Sequence, residues 1–155
     1  MDFDNFIRFL IEAKKNGYAG SNANVEVLDD GGKKVEFSEG SFKYRDTWRG
    51  FNPFFGEEIV WEENKEIFIM NYDGRVIKDK DEIEETYAFL KKALERATPQ
   101  FPFRGLPKFR EGDLEYNLRQ YGNRMGFFSG RESINRGKKT IYRGVFRGTI
   151  VPKVN

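Results

Sequence analysis

Three carboxylates in this sequence stand at alternating positions among large apolar residues: Asp46, Glu57 and Glu132. The runs that contain them are FKYRDTW (42–48), FGEEIVW (55–61) and FSGRESI (128–134). Since side chains of a β-strand alternate between its faces, each acid shares a face with its apolar neighbours. Carboxylates that meet on such a face can carry out acid–base chemistry or hold a divalent cation.

The chain contains no histidine and no cysteine. This excludes Ser-His and Cys-His nucleophile pairs, so any general acid or base must be Asp, Glu, Lys or Tyr. A metal would be held by oxygen atoms alone, and we expect no tightly bound zinc, copper or iron. The residues identify no catalytic group, no metal ligand and no cofactor.

An acid on an apolar face costs free energy unless it is paired or lies in a wet cavity. One interpretation is structural, with each acid paired with Arg or Tyr or placed at a sheet rim. The other is a concave pocket walled by aromatic rings, to which Tyr142 can contribute a further hydroxyl. The predicted ligand-binding residues are Tyr44, Asp46, Glu57, Tyr72, Arg104 and Glu132.

Glu57 is the residue on which the pocket hypothesis depends most. A hairpin turning at Asn64-Lys65 places Tyr72 directly opposite Glu57 and sends Glu58 to the other face. We therefore expect Glu57 at the polar end of the buried face, near Asp46 or Arg104.

Two helices and several short strands position these residues. Apolar spacing predicts a helix from about Phe3 to Asn16-Gly17, capped by Asp2 or Asp4, and a second helix over 79–97, capped by Asp79 or Asp81. Strand-like runs occur at 34–37, 42–48, 55–61, 66–72, 113–121, 126–135 and 139–150. The predicted fold class is α+β, with a twisted, mostly antiparallel sheet in a single domain over residues 1–155. The second helix is expected on a sheet face, and the first is expected to close an end or edge.

The helical and alternating faces also predict a core. Its expected members are Phe6, Leu10, Tyr44, Trp48, Ile59, Trp61, Phe68, Met70, Tyr87, Leu90, Leu94 and Phe146. Gly144 and Gly148 are spaced along one strand, where glycine relieves crowding or permits curvature.

The net charge is +2, but basic residues are concentrated between Arg119 and Lys153, where Glu132 is the only acid. Such a stretch is usually a solvated face, although it can also bind an anionic partner. We expect at most weak, sequence-independent nucleic-acid binding there, which fades with salt because it depends on counterion release. Aromatic strands can also stack bases, but the aromatic signatures of RNA-binding strands are absent.

The cellular location is expected to be the cytoplasm. The start, Met1-Asp2-Phe3-Asp4, lacks the basic and apolar regions of a signal peptide. No apolar run approaches the ~18 residues that cross a bilayer. We therefore expect a small molecule or a protein as partner, and no membrane.

Several motifs together resemble a prokaryotic family known as domain of unknown function 5680. They are Tyr18-Ala19-Gly20, FFGEEIVW (54–61), MNYDG (70–74), PFRG (102–105), FSGRESI (128–134) and YRGVFRG (142–148). The resemblance implies a domain found alone or fused behind a phage-repressor-type helix-turn-helix, and therefore a sensing or partner-binding role. The single predicted N-terminal helix is too little for a helix-turn-helix, so this resemblance does not imply DNA binding by this chain.

Two functions remain open from the sequence. The first is a ligand- or partner-binding domain, with a regulatory role among the expectations and with an aromatic pocket that carries carboxylates. The alternative is a small carboxylate-dependent enzyme that acts on a polar small molecule. Carboxylates close together in an open cleft would favour the enzyme, and carboxylates neutralised by cations would favour the binding domain.

Overall fold

The computed structural model of the protein describes residues 1–17 and 24–151. Within these residues the helices are α1 (Phe3–Asn16) and α2 (Ile83–Leu94), and one 3₁₀ turn at Lys80–Glu82 precedes α2. The strands are β1 (Glu26–Val27), β2 (Lys33–Glu39), β3 (Phe42–Gly50), β4 (Phe54–Glu62), β5 (Lys65–Val76), β6 (Lys108–Glu111), β7 (Leu114–Gly122), β8 (Phe127–Arg136) and β9 (Lys139–Ile150). The predicted α+β class is confirmed. Tyr18-Ala19-Gly20 and Lys153 lie outside the described residues.

The described strands form one antiparallel sheet in the order β1-β2-β3-β4-β5-β9-β8-β7-β6. Strands β1–β5 make one meander and β6–β9 make a second, and the two meet where β5 pairs with β9. The sheet does not close on itself. Helix α2 and the segment 95–107 connect the two meanders.

Helix α1 begins and ends where the sequence predicts. The Asp2 carboxylate accepts hydrogen bonds from the backbone N–H groups of Asp4 and Asn5, at 3.1 and 3.3 Å. Such a cap satisfies donors that the first helical turn leaves unpaired. The helix ends at Asn16, directly before Gly17.

The position of α1 corrects the expectation that it closes an end or edge of the sheet. Phe9 stacks on Phe37 of β2 and Phe42 of β3, with ring centroids 5.8 and 5.0 Å apart. Phe6 packs against Phe68 of β5, at 5.8 Å. The apolar stripe of α1 carries large rings, and these rings need several strands to bury them. The helix therefore lies across the sheet face.

Helix α2 packs on the same face, as predicted, through Tyr87. The Tyr87 ring lies edge-on to Phe54 and Tyr142, at 5.5 and 6.3 Å. The predicted caps are wrong, because no side chain caps either the 3₁₀ turn or α2. Asp79 instead accepts a hydrogen bond from Lys139 at 2.6 Å, which ties the helix entry to β9.

The predicted register of the β4–β5 hairpin is one residue out. The turn is at Glu63-Asn64, where both residues have positive φ, as a two-residue hairpin turn of the I′ type requires. A bulge at Ile67 then shifts the pairing, so that Tyr72 lies opposite Gly56. A shift of one residue moves every β4 side chain to the other face, and Glu58 rather than Glu57 points at the helices.

Glycines on the helix-covered face lie opposite aromatic rings. Tyr72 pairs with Gly56, and Phe128 pairs with Gly148. A Cβ on Gly56 would sit 2.1 Å from Cζ of Tyr72, and one on Gly148 would sit 2.6 Å from Cζ of Phe128. The rings therefore lie flat across the neighbouring strand, and the predicted relief of crowding at Gly148 is confirmed.

Replacing Gly56 with alanine should lower the free energy of unfolding by about 1–3 kcal/mol, since the new methyl group displaces the Tyr72 ring. Urea denaturation followed by circular dichroism measures this loss. Gly126→Ala is the matched control, because a Cβ at Gly126 meets no atom closer than 3.7 Å. Equal stability of the two variants would contradict the close contact between Gly56 and Tyr72.

The two faces of the sheet differ in what covers them. Helices α1 and α2 and the segment 95–107 cover one face, where the Phe103 and Phe128 rings stack with centroids 3.8 Å apart. Of the residues predicted as core, all but Trp61 are buried. Trp61 lies half-buried on the opposite, open face, under the guanidinium of Arg45. Within the described ranges, neither helix has the length and apolar character needed to cross a membrane.

Candidate functional site

Arg104 and Glu132 form a buried ion pair between the 95–107 segment and β8. The guanidinium donates from Nε to Oε2 of Glu132 at 3.1 Å and from Nη2 to Oε1 at 2.6 Å. The hydroxyl of Tyr116 donates to Oε2 at 2.8 Å, and that of Tyr142 donates to Oε1 at 2.9 Å. We call these four residues the Arg104 cluster.

The Arg104 cluster keeps its charges in spite of burial. Burial opposes ionisation of Glu132, but the guanidinium and the two tyrosine hydroxyls outweigh it and hold the Glu132 pKa below its ordinary value. The same carboxylate raises the pKa of Arg104 against the opposing effect of burial. Both carboxylate oxygens are hydrogen-bonded twice within the protein, which is the arrangement of a structural ion pair.

A second buried pair, Lys14 and Glu58, joins α1 to β4. The ammonium donates to Oε1 and Oε2 of Glu58 at 2.9 and 2.7 Å and to the Phe103 carbonyl at 2.6 Å. The Tyr44 hydroxyl donates to Oε1 at 2.5 Å. Burial lowers the pKa of Lys14, and Glu58 opposes that shift.

Asp46 lies directly opposite Glu58 in the β3–β4 pair, so two acids point at the same face from neighbouring strands. The Tyr72 hydroxyl donates to Oδ1 of Asp46 at 2.6 Å. Burial, followed by repulsion from Glu58, raises the pKa of Asp46 from 3.8 to about 8. The raised pKa favours the protonated form of Asp46 near neutral pH. We call Lys14, Tyr44, Asp46, Glu58 and Tyr72 the Lys14 cluster.

The two clusters are adjacent. The guanidinium carbon of Arg104 lies 5.1 Å from the centre of the Tyr72 ring. Phe103, which accepts the Lys14 hydrogen bond, is the residue before Arg104. With Asp46 protonated, two cations face two carboxylates, so the buried charges balance.

The structure brings together five of the six residues predicted to bind a ligand. Tyr44, Asp46, Tyr72, Arg104 and Glu132 are all buried on the helix-covered face. Tyr72 donates a hydrogen bond to Asp46 and Arg104 donates to Glu132, while Tyr44 donates to Glu58, which also binds Lys14.

Glu57 is the exception, and its predicted place opposite Tyr72 is wrong because of the register shift. It is half-buried on the open face, at the wall of a small depression of about 360 Å³ that also contacts Thr47 and Arg49.

Sequence reasoning missed Lys14 and Glu58. Lys14 lies four residues beyond Leu10 and seven beyond Ile7, so it continues the apolar stripe of α1. A lysine on an apolar stripe predicts that a buried carboxylate lies opposite it. This pattern is the sequence signal that could have indicated Glu58.

The open face carries a groove of about 810 Å³ that runs from β4 across β5, β9 and β8 to β7. We call it the open-face groove. The outward side chains that line it are Phe55, Asn71, Asp73, Tyr121, Phe127, Ser129, Arg131, Val145 and Arg147. Phe55, Tyr121 and Phe127 are 58%, 52% and 66% exposed, which is unusual for three large rings at one site.

Arginines dominate the charge of this face. Arg119 lies opposite Arg131, and Arg143 lies opposite Arg75. Arg147 is on β9 beside Ser129 of β8. In the described part of the chain, none of these five arginines has a carboxylate within 4 Å. Their guanidinium groups are therefore open to an anionic ligand.

The basic stretch found in the sequence thus divides into two parts. Arg136 and Lys139 bind acids near α2, with Arg136 at 2.7 Å from Asp113 and 2.6 Å from Glu82. The arginines of the open face form the other part, which has no carboxylate partner among the described residues.

A family model described as Domain of unknown function (DUF5680) matches residues 46–151, which is more than half of the chain. The chain belongs to this family. The curated proteins and the solved structures give no match.

The DUF5680 match includes the whole open-face groove, from Phe55 to Arg147, and the whole Arg104 cluster. Lys14 and Tyr44 of the Lys14 cluster lie outside the matched range. In residues 1–17 and 24–151, no three acidic side chains come together as metal ligands would.

Proposed function

We propose that this DUF5680 chain is a non-catalytic binding domain and that its ligand, an anion or the acidic surface of a partner, binds in the open-face groove. The observation that carries the proposal is the combination of exposed rings with arginines that have no acidic partner. Arg131 and Arg147 line the groove together with the exposed rings of Phe55, Tyr121 and Phe127. Rings and arginines are the residue types that dominate binding energy at interfaces.

The buried clusters support this location rather than a pocket among the predicted acids. Glu132 binds Arg104, Glu58 binds Lys14, and Asp46 accepts from a tyrosine. A ligand at these groups would have to displace α1 or the 95–107 segment. Cations or hydroxyls already satisfy the acids, as expected for the binding domain rather than for the carboxylate-dependent enzyme.

Asp73 is the carboxylate that lines the groove. Burial raises its pKa, nearby Arg75 opposes this shift, and Glu132 adds to it. Glu132 is bound to Arg104 on the other face of the sheet, so the described lining of the groove holds no second acid to form with Asp73 the pair that hydrolytic acid–base chemistry uses. Asp73 is better suited to accept a hydrogen bond from the ligand.

A regulatory role and a cytoplasmic location are part of the proposal, and the lack of cysteine is compatible with that location.

Titration of ¹⁵N-labelled protein with defined anions tests the location of the site. The probes are inorganic phosphate, a nucleoside monophosphate, a heparin oligosaccharide and a poly-glutamate peptide. We expect at least one probe to shift the amide signals of Asn71, Ser129 and Arg147, which line the groove. The double variant Arg131→Glu, Arg147→Glu should abolish those shifts, because it reverses the charge at the site.

Lys92→Glu is the control, since Lys92 is an exposed cation on α2, whose helix packs on the other face, and it should leave the shifts unchanged. Shifts that cluster around Lys14 or Arg104, or that survive the double variant, would contradict the proposed site.

A further inference from the structure

The arginines of the open face, two of which line the groove, are spaced as a linear polyanion requires. Arg131 and Arg119 lie side by side on β8 and β7, while Arg143 and Arg147 lie on β9, two residues to either side of Val145. Val145 itself is opposite Arg131. The cations therefore extend across three adjacent strands instead of converging on one point, as they would around a single phosphate.

The exposed rings lie on either side of these arginines. Phe55 on β4 and Tyr121 on β7 are four strand spacings apart, roughly 19 Å at about 4.8 Å per spacing. Phe127 projects from the start of β8, where it is 66% exposed. A single ring-bearing small molecule cannot stack on both walls over that span while it also contacts the arginines between them.

We infer that the open-face groove binds single-stranded nucleic acid without sequence preference, which rests on the proposed function and names its ligand. Bases stack on the rings at the two edges, and the phosphates between them contact the arginines. A duplex fits less well, because its bases are hidden within the stack and cannot reach Phe55 or Tyr121.

The polar groups of the groove explain the absence of sequence preference. Stacking on Phe55 or Phe127 is open to every base, since every base has a π-face. The floor offers Asn71, Ser129 and Asp73 as hydrogen-bonding side chains, which is too few to read several base edges. An acidic peptide would also satisfy the arginines, but it would leave the rings at the two edges without a partner.

Fluorescence anisotropy with labelled oligonucleotides of about 12 nucleotides tests this inference. The single strand should bind more tightly than the same sequence as a duplex, and different single-strand sequences should bind with similar affinity. Binding should weaken with salt, with a log–log slope of about −0.7 for each phosphate contacted.

Two kinds of variant separate charge from stacking. The double variant Arg131→Gln, Arg147→Gln should make the salt slope shallower by roughly 1.4, because two phosphate contacts are lost. Phe127→Ala should lower the affinity by roughly tenfold while leaving the salt slope unchanged. Both phenylalanine and arginine side chains here are outward-facing, so these variants should fold. Lys92→Gln, which removes one exposed charge outside the groove, is the control, and it should change neither quantity.

The probes distinguish failure of the inference from failure of the proposed function. Equal affinity for heparin, poly-glutamate or duplex, or indifference to Phe127→Ala, would overturn the nucleic-acid inference and leave anion binding in the groove intact. If the nucleoside monophosphate binds as tightly as the single strand, the single-strand inference is overturned and the ligand is a free nucleotide. Absence of binding by every probe would overturn both proposals.

Discussion

Replacing Arg104 with methionine should lower the free energy of unfolding by about 3–5 kcal/mol, because it leaves Glu132 buried without its cation. The methionine keeps most of the apolar volume of the arginine stem. The carboxylate, however, would then face the hydroxyls of Tyr116 and Tyr142 alone. Urea denaturation at neutral pH, followed by circular dichroism, measures the loss.

A double variant separates charge from packing in this experiment. Arg104→Met with Glu132→Gln should recover much of the stability, because glutamine carries no charge. Its carbonyl oxygen accepts from one tyrosine hydroxyl and its amide group donates to the other. Arg131→Met is the control, because Arg131 is the exposed neighbour of Glu132 on β8 and should be replaced without effect. If Arg104→Met behaves like Arg131→Met, the ion pair does not hold the 95–107 segment on the sheet.

The buried clusters also bear on the proposed binding site, because residues of a strand alternate between its faces. Glu132 is buried and Arg131 beside it lines the groove, and Tyr72 is buried between Asn71 and Asp73. A side chain fixed on the inner face fixes the backbone that carries its outward neighbours. The Arg104 and Lys14 clusters thus fix the backbone that forms the floor of the groove.

Much of the fold could be predicted from local patterns. The cap at Asp2 and the stop at Gly17 define α1, and the alternation in 42–48 correctly places Tyr44 and Asp46 on the buried face. These signals depend on neighbours within a few residues, so they are readable in a single sequence.

The register of β4 could not be predicted in the same way. Glu63-Asn64 lacks the glycine that usually marks an I′ turn, so the turn was placed one residue late. The bulge at Ile67 leaves no clear mark in the sequence, yet it decides that Glu58 is buried and Glu57 is not. The alternating pattern therefore indicates Glu57 as the buried acid, whereas the structure buries Glu58.

The open-face groove was missed for a different reason. Its residues alternate with core residues, so each strand by itself appears to carry an ordinary solvated face. The groove exists because β9 lies between β5 and β8, which places Arg147 between Asn71 and Ser129. That adjacency joins two meanders that are distant in sequence, and only the sheet order reveals it.

Replacing Asp46 with asparagine should stabilise the protein at alkaline pH and have little effect near pH 4. In the unfolded chain Asp46 titrates near 3.8, whereas burial and Glu58 raise its pKa to about 8 in the folded protein. Between these values the folded state holds a proton that the unfolded chain has released. The wild-type free energy of unfolding therefore loses up to about 1.4 kcal/mol per pH unit through this group as pH rises, and the loss ends above the folded pKa. Asparagine still accepts the Tyr72 hydrogen bond and does not titrate.

The measured quantity is the difference in free energy of unfolding between Asp46→Asn and the wild type, from urea denaturation in buffers between about pH 4 and pH 9. Taking the difference cancels the titrating groups that do not interact with Asp46, so the difference should rise in favour of Asp46→Asn across this window. Asp30→Asn is the control. A hydrogen bond from Arg49 holds the pKa of exposed Asp30 below its ordinary value, so the change it causes lies at the acid end of the window and has the opposite sign. A pH-independent difference for Asp46→Asn would mean that Asp46 is ionised in the folded protein. The Lys14 cluster would then hold two carboxylates against the single charge of Lys14, and the balance of buried charges described above would be incorrect.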